Sequence, residues 1–385
     1  MTWAAWIPGL GHLKLGQKHK GTLLLSLFVI LLAVAVWRSP VMAGSVRYSM
    51  RALSGEPIPY TTRHLDFFVT TLLLTFGIAG LIVYSGISCS RAARRGPQSV
   101  GQTQTQWMIV WRQFRKNRLA VIGGAMILLL YLVAILAPFF APFDPTEQGH
   151  RVKERLLDPS GQHPLGTDRF ARDVFSRIIY GSRISLLVGF LAVGISVTIG
   201  TVYGSVSGYH GGKIDSLMMR FVDIMLSFPT MILIITIIAV WRNQSIWIII
   251  CIIGVTSWMG VARLVRGEFL VLKELDFFRA ARALGAGPPR LIFRHLLPNA
   301  MTPIIISATL SVGGTILLEA GLSYLGLGVQ PPAPSWGNIV YDTKGNIFTE
   351  WWMPLSAGLA ILVTVVGYNL LGDGLRDSLD PRLRQ

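Results

Sequence analysis

Acidic residues are scarce in this chain. Its 385 residues hold 19 Asp and Glu against 35 Lys and Arg, and charged residues of both signs make up only 14%. Cysteine is scarcer still, with Cys89 and Cys251 alone. Both lie at or within apolar runs, too far apart to frame a disulfide scaffold or a metal site. No G-x-x-x-x-G-K-[S/T] phosphate loop occurs. The Gly212-Lys213-Ile214 stretch lacks both the leading glycine and the hydroxyl, so ATP has no cradle here. The seven histidines are scattered and no His-Glu-x-x-His is present, which removes the metalloprotease reading. No paired polar residues sit at matching depth as an intramembrane enzyme needs. The chain is read as a non-enzyme with no cofactor and no metal of its own.

What the chain does have is apolar length. Hydrophobic residues make up 52% and the mean hydropathy is +0.54, far above a soluble domain. Eight runs approach the roughly 20 residues that cross a hydrocarbon core of about 30 Å. They are 21–37, 66–88, 119–141, 184–206, 220–241, 245–265, 301–325 and 354–372. They are continuous and not alternating, which excludes a β-barrel. The expected fold is an all-α polytopic membrane protein in a lipid bilayer. A signal peptide is the alternative for the first 43 residues, because Lys14, Lys18 and Lys20 precede an apolar run. Arg38 and Pro40 fit a cleavage site poorly, so the run is read as retained.

The net charge of +16 could suggest nucleic acid, but its placement is a topology signal. Between 89 and 118 there are seven Lys/Arg and no acid, and between 263 and 299 seven against three. The loop at 142–183 is nearly balanced, with seven basic and six acidic residues. The positive-inside rule then puts 89–118, 266–299 and both termini in the cytoplasm. No nucleic-acid partner is expected.

A Gln/Thr/Ser-rich stretch from 96 to 106 has no apolar periodicity and reads as flexible. It separates an accessory two-span hairpin, 1–95, from a six-span body, 119–385, with 96–118 as a cytoplasmic linker. The hairpin opens with Pro8-Gly9-Leu10-Gly11, Gly16-Gln17-Lys18 and Lys20-Gly21, a short motif found at the start of small membrane domains.

The most informative segment is RAARALGAGPPRLIFRHLLPN, 279–299. Leu275, Phe278, Ala281 and Leu284 recur at helical spacing as one apolar stripe flanked by Arg279 and Arg282. Gly285 supplies a left-handed helix stop. Pro288, after Gly287, opens a second short helix, and Pro298 is expected to end it before the next span. Two short exposed helices would make a rigid knob.

In order and spacing, Ala280-Ala281, Gly285 and Leu297-Pro298 resemble the loop that ABC-importer permeases present to their ATPases. Four further segments carry the likeness. His163-Pro164-Leu165-Gly166-Thr167-Asp168, with Arg172-Asp173 and the 180–186 stretch, resembles the approach to the second core span of dipeptide, oligopeptide and nickel importer permeases. Ser227-Phe228-Pro229 resembles a kink in their third span. The 319–328 stretch with Pro334-Ser335-Trp336-Gly337 resembles the end of their fifth, and 369–377 with 379–382 their tail. Two departures are Arg279, where many relatives carry Glu, and Ala171, where many carry Gly before Arg-Asp.

The resemblance implies a C-type permease subunit in a bacterial cell membrane, enclosing a pathway with a second homologous permease. Two ABC ATPase subunits holding ATP and Mg would bind below, and an extracytoplasmic substrate-binding protein above. The ATPase-coupling loop would comprise Phe278, Arg279, Ala280, Ala281, Arg282, Leu284, Gly285, Pro288 and Pro298. Ser227, Phe228, Pro229 and Glu319 are pathway or gate candidates. Glu319 is ionisable within an apolar span and functional by default, the alternative being a helix-end carboxylate bonded to the neighbouring loop. Arg220 and Asp223 read as interface anchors. Asp168, Arg172 and Asp173 are candidates for docking the binding protein, or equally a salt-bridged local cap. Peptide is the expected substrate, with nickel chelates, glutathione or another small solute as alternatives. A channel or a proton-coupled transporter working alone is the rival class.

Overall fold

The structure is a computed structural model that describes residues 112–148, 154–241, 245–345 and 347–379. All of these fall within the second of the chain's two units, Thr105–Gln385. The hairpin at 1–95 with its two expected spans, Cys89, and most of the 96–118 linker lie outside the described residues. Among the described residues there is no β-strand, only an isolated bridge between Thr167 and Asp173.

Helix α1, Arg118–Ile135, starts where the Asn117 side chain accepts from the Ala120 N–H, satisfying one of the donors a helix start leaves open. A single turn, α2, Ala137–Phe140, follows with proline in its first turn. Helix α3, Val174–His210, is the axis of the body. At 1.5 Å per residue its 37 residues extend about 55 Å, so it outruns the hydrocarbon core. Then come α4, Gly212–Ser227, and α5, Thr230–Trp241. Helices α6, Ile246–Thr256, and α7, Met259–Leu272, lead into the basic loop.

Four helical stretches are long and apolar enough to span a membrane unbroken: Arg118–Ile135, Val174–His210, Pro288–Tyr324 and Trp352–Leu379. The expected runs at 220–241 and 245–265 are not single helices. Each is a bent pair, at 81° between α4 and α5 and 40° between α6 and α7. The first bend has a local cause. Pro229 lacks an N–H and drives the residue before it out of helical geometry, and Phe228 is extended at φ −86°, ψ 130°. At the second bend Trp258 is almost buried, with its ring 4.6 Å from that of Tyr203 on α3.

Glycines set how closely α3 meets its neighbours. A Cβ on Gly200, Gly204 or Gly208 would stand 2.6 Å from Val261 Cβ, 2.4 Å from the Ala262 carbonyl oxygen and 2.7 Å from Phe269 Cβ. These three positions recur every four residues, so α3 and α7 lie nearly backbone to backbone, as small residues permit between membrane helices. In the half of α3 nearer Val174, Val188 and Ala192 pack with Ile234, Ile249, Ile253 and Leu322.

After the loop the chain runs through α8, Asp276–Ala283, and α9, Pro288–Arg290. A π-helical turn, Leu291–Leu296, leads into α10, Leu297–Tyr324. Pro298 does not end a short helix as expected. The wide turn, in which the Leu297 N–H reaches back to the Ile292 carbonyl, makes room for a proline that would clash in a regular α-turn. The Asn299 side chain takes up the His295 carbonyl at 2.6 Å. The second helix is therefore one rod from Pro288 to Tyr324. Helix α11, Trp336–Asp342, is held by a capping box between Ser335 and Asn338, and α12, Trp352–Leu379, closes the described body against α1. There the Tyr131 and Tyr368 hydroxyls meet at 2.9 Å.

Candidate functional site

The loop between α7 and α10 is a rigid projection. Asp276 sits in the first turn of α8, where a negative charge complements the helix dipole. At the other end the Gly285 N–H bonds to the Arg282 carbonyl at 3.0 Å and the Ala286 N–H to the Ala281 carbonyl at 3.2 Å, a Schellman stop. Gly285 has φ +81° with open space where a Cβ would lie, so backbone conformation and not crowding demands glycine. Gly287 then turns extended, and Pro288 takes the first position of the next helix.

The apolar stripe divides in two. Phe278 and Ala281 are buried with Phe269, Leu291, Leu296 and Ala300, so they root α8 in the body and cannot face a partner, contrary to their expected place in the contact. Leu275 and Leu284 point the other way, Leu284 being 88% exposed. Around it Arg279, Ala280, Arg282, Pro288, Arg290 and Arg294 are exposed, as are Phe277 and Phe293. Pro298 is also exposed, at the start of α10. Arg279 is paired with Glu274 at 2.7 Å on the surface. The result is an apolar, basic tip on a packed base.

That base is tied to the body by polar bonds. Arg266 on α7 grips Asp215 on α4 with two hydrogen bonds of 2.6 Å, and the Ser207 hydroxyl on α3 donates to the same carboxylate at 2.5 Å. Just before the loop, Lys273 donates to the Gly208 and Tyr209 carbonyls at 2.8 and 3.0 Å, filling acceptors that the end of α3 leaves open. The end of α3, the start of α4 and the end of α7 are thus clamped together at the root of the projection.

Ser227, Phe228 and Pro229 form the sharp corner between α4 and α5, all three exposed, with the Ser227 hydroxyl donating to the Ile224 carbonyl at 2.6 Å. Beside the corner Asp223 pairs with Arg263 of α7, both about half exposed, and Arg220 is exposed one turn earlier. Glu319 is elsewhere. It is fully buried and accepts from the Ser323 hydroxyl at 2.7 Å and the Ser335 hydroxyl at 3.2 Å. It joins α10 to the cap of α11 and lines no open surface, so the structure favours a helix-end pin over a gate.

Asp168, Arg172 and Asp173 are buried to within 3% exposure, which keeps them from touching a docked protein directly. Asp168 bonds Arg172 at 2.7 Å and also Arg177, while Asp342 from α11 takes both guanidinium groups at 2.8 and 2.9 Å. Burial, reinforced by neighbouring Arg177, pulls the Arg172 guanidinium below its ordinary value, against the pull of the two aspartates. Asp173 instead caps α3 through the Ser176 N–H at 2.7 Å and meets His163 at 2.9 Å. The arrangement is the salt-bridged cap. Sequence reasoning missed Arg177, Asp342, Ser207, Asp215, Arg266 and Lys273, whose partnerships reach up to 173 residues along the chain and leave no periodic trace.

Comparison with known proteins agrees with this geometry. Residues 200–385 match the family described as binding-protein-dependent transport system inner membrane component, and 105–159 match the N-terminal TM domain of oligopeptide transport permease C. The chain is 41% identical over 276 residues to the dipeptide transport system permease protein DppC of Bacillus subtilis (strain 168), covering 71% of this chain and 85% of that one. It is 40% identical over 280 residues to the oligopeptide transport system permease protein OppC of the same organism, covering 72% and 90%. Against the glutathione transport system permease protein GsiD of Pectobacterium atrosepticum identity is 38% over 282 residues, covering 73% and 93%. The chain, a multi-pass membrane protein, belongs to the family of binding-protein-dependent transport system inner membrane components.

Proposed function

We propose that this chain is the C-type permease of an ATP-driven importer of di- or oligopeptides. It forms the pathway with a second homologous permease in a bacterial cell membrane, with both termini in the cytoplasm and the 142–183 loop outside. ATP and Mg are held by two partner ATPases, and a binding protein delivers substrate from outside. The observation that carries this reading is the exposed tip around Leu284 on a base sealed by Phe278 and Ala281. In helix-in-groove docking such a tip supplies the anchor and its arginines fix orientation. When the ATPases close, a push on α8 passes through the Asp215–Arg266–Ser207 clamp and Lys273 into α3, α4 and α7 together. The bends at Pro229 and Trp258 are the joints at which the outer halves can tilt. A rigid path is required, because a ligand biases two states only by its differential interaction with them. Peptide is favoured over glutathione by the slightly higher identity to the dipeptide and oligopeptide permeases, 41% and 40% against 38%.

Reconstitution of the full complex in proteoliposomes tests the reading. ATP-dependent accumulation of a labelled dipeptide, lost when the ATPases or the binding protein are omitted, is expected. Uptake that persists without ATPases would support the stand-alone transporter instead.

A further inference from the structure

We propose that the cleft between α3 and the start of α10 is a binding site for an uncharged amphiphile of the bilayer, an apolar chain that carries a hydroxyl or an ester carbonyl. The site does not depend on which solute the importer carries.

The cleft holds a cavity of about 320 Å³, within the size range of small-molecule sites. One wall is the stretch of α3 from Val197 to Val206. The other is the π-helical turn with the first turns of α10, from Ile292 to Ile304. Both walls belong to helices long and apolar enough to span a membrane, and π-helical turns are frequent at functional sites. Val197, Ile292, Leu297 and Ile304 line the cavity and also pack in the core that roots α8. An occupant would therefore complete the packing at the base of the projection.

Two hydroxyls in this wall are left over. Thr201 and Ser205, one helical turn apart on α3, both line the cavity. Ser205 is only 4% exposed, and neither hydroxyl has a hydrogen-bond partner among the described residues. A hydroxyl on a helix ordinarily donates to the carbonyl one turn back, as Thr198 does to Gly194 at 2.7 Å. Buried polar groups are almost always paired, so two unpaired neighbours on one wall point to a ligand group that meets them. Water alone does not suit the space, because a buried water needs about two to four polar partners. The rest of the lining is apolar, with Phe293 and Met301 among its larger members. No charged side chain lines the cavity, so the ammonium and carboxylate of a free peptide would be buried there uncompensated. A single hydroxyl or carbonyl meets Thr201 and Ser205, and an apolar chain fills the remainder.

The test uses the full complex in phosphatidylcholine nanodiscs with a photoreactive hexadecanol as the probe. Labelled positions, mapped by mass spectrometry, should fall within 197–206 and 292–304. Unlabelled hexadecanol should compete for them, and the charged hexadecyl sulfate should compete at least about tenfold less well, as one buried uncompensated charge demands. Thr201→Val and Ser205→Ala nearly keep the shape of the wall and should each weaken labelling about fivefold, the scale of one neutral hydrogen bond. Met301→Trp, at a residue 39% exposed, fills the cavity with both hydroxyls intact and should abolish labelling. Unchanged labelling in both hydroxyl variants would overturn the proposal, as would equal competition by the charged and uncharged chains. Labelling of the isolated chain that disappears in the full complex would place a helix of the second permease in the cleft and overturn it too. Labelling is read without transport, so absent dipeptide uptake would refute the peptide reading and not this site.

Discussion

The two ends of α3 treat charge in opposite ways. At the Val174 end, Asp168, Arg172, Arg177 and Asp342 turn inward and neutralise one another, all but sealed from solvent. At the His210 end the neighbouring loop turns its arginines outward around an exposed Leu284, and only Asp215, Arg266 and Lys273 at the root point inward. A closed charge network is finished within the chain, whereas an apolar tip ringed by cations is left open within it, as the proposed ATPase contact requires. Function is therefore to be sought where the surface is incomplete. The 168–173 segment, however specific its motif, builds the frame on which α3 and α11 sit.

The largest effect should come from breaking the sealed end. Asp168→Ala leaves two guanidinium groups short of an acceptor, and removing one partner of a buried network costs about 3–5 kcal/mol. Thermal unfolding of the purified chain should show that loss, with ATPase binding by the surviving folded fraction unchanged. A shift as small as that of a surface substitution would mean that the network is open to water. A smaller, local effect is expected at the other end. Gly285→Val forces a β-branched residue to φ +81°, at about 1–2 kcal/mol. Insertion should be normal while ATPase association falls, and Gly285→Asn, which tolerates the left-handed region, should fall less. Equal losses for Val and Asn would argue against a conformational role.

How much of this was legible in the sequence follows from the kind of signal each feature leaves. Gly285 and Pro288 announce themselves because backbone geometry restricts which residues can stand there. The stripe through Phe278 and Ala281 was visible, but periodicity says only that a helix has an apolar face. It does not say whether that face meets its own body or another protein, and burial decided for the body. The bends at Pro229 and Trp258 were hidden in continuous hydropathy, which sums composition and carries no direction. Pro298 misled, because the π-helical turn before it absorbs the clash that ordinarily ends a helix. The near balance of charge at 142–183 was countable, whereas the pairing of Arg177 with Asp342 arises only when α11 folds back onto α3.

If the exposed tip is the ATPase contact, Leu284 at its centre is the residue whose change separates binding from folding. Leu284→Asp disturbs little inside the chain, since Leu284 is 88% exposed, so stability should change by no more than about 0.5 kcal/mol. ATPase affinity for the purified, correctly inserted permease pair should nevertheless fall at least about tenfold, the scale of a central interface anchor. ATPase binding equal to wild type would contradict the assignment of this loop.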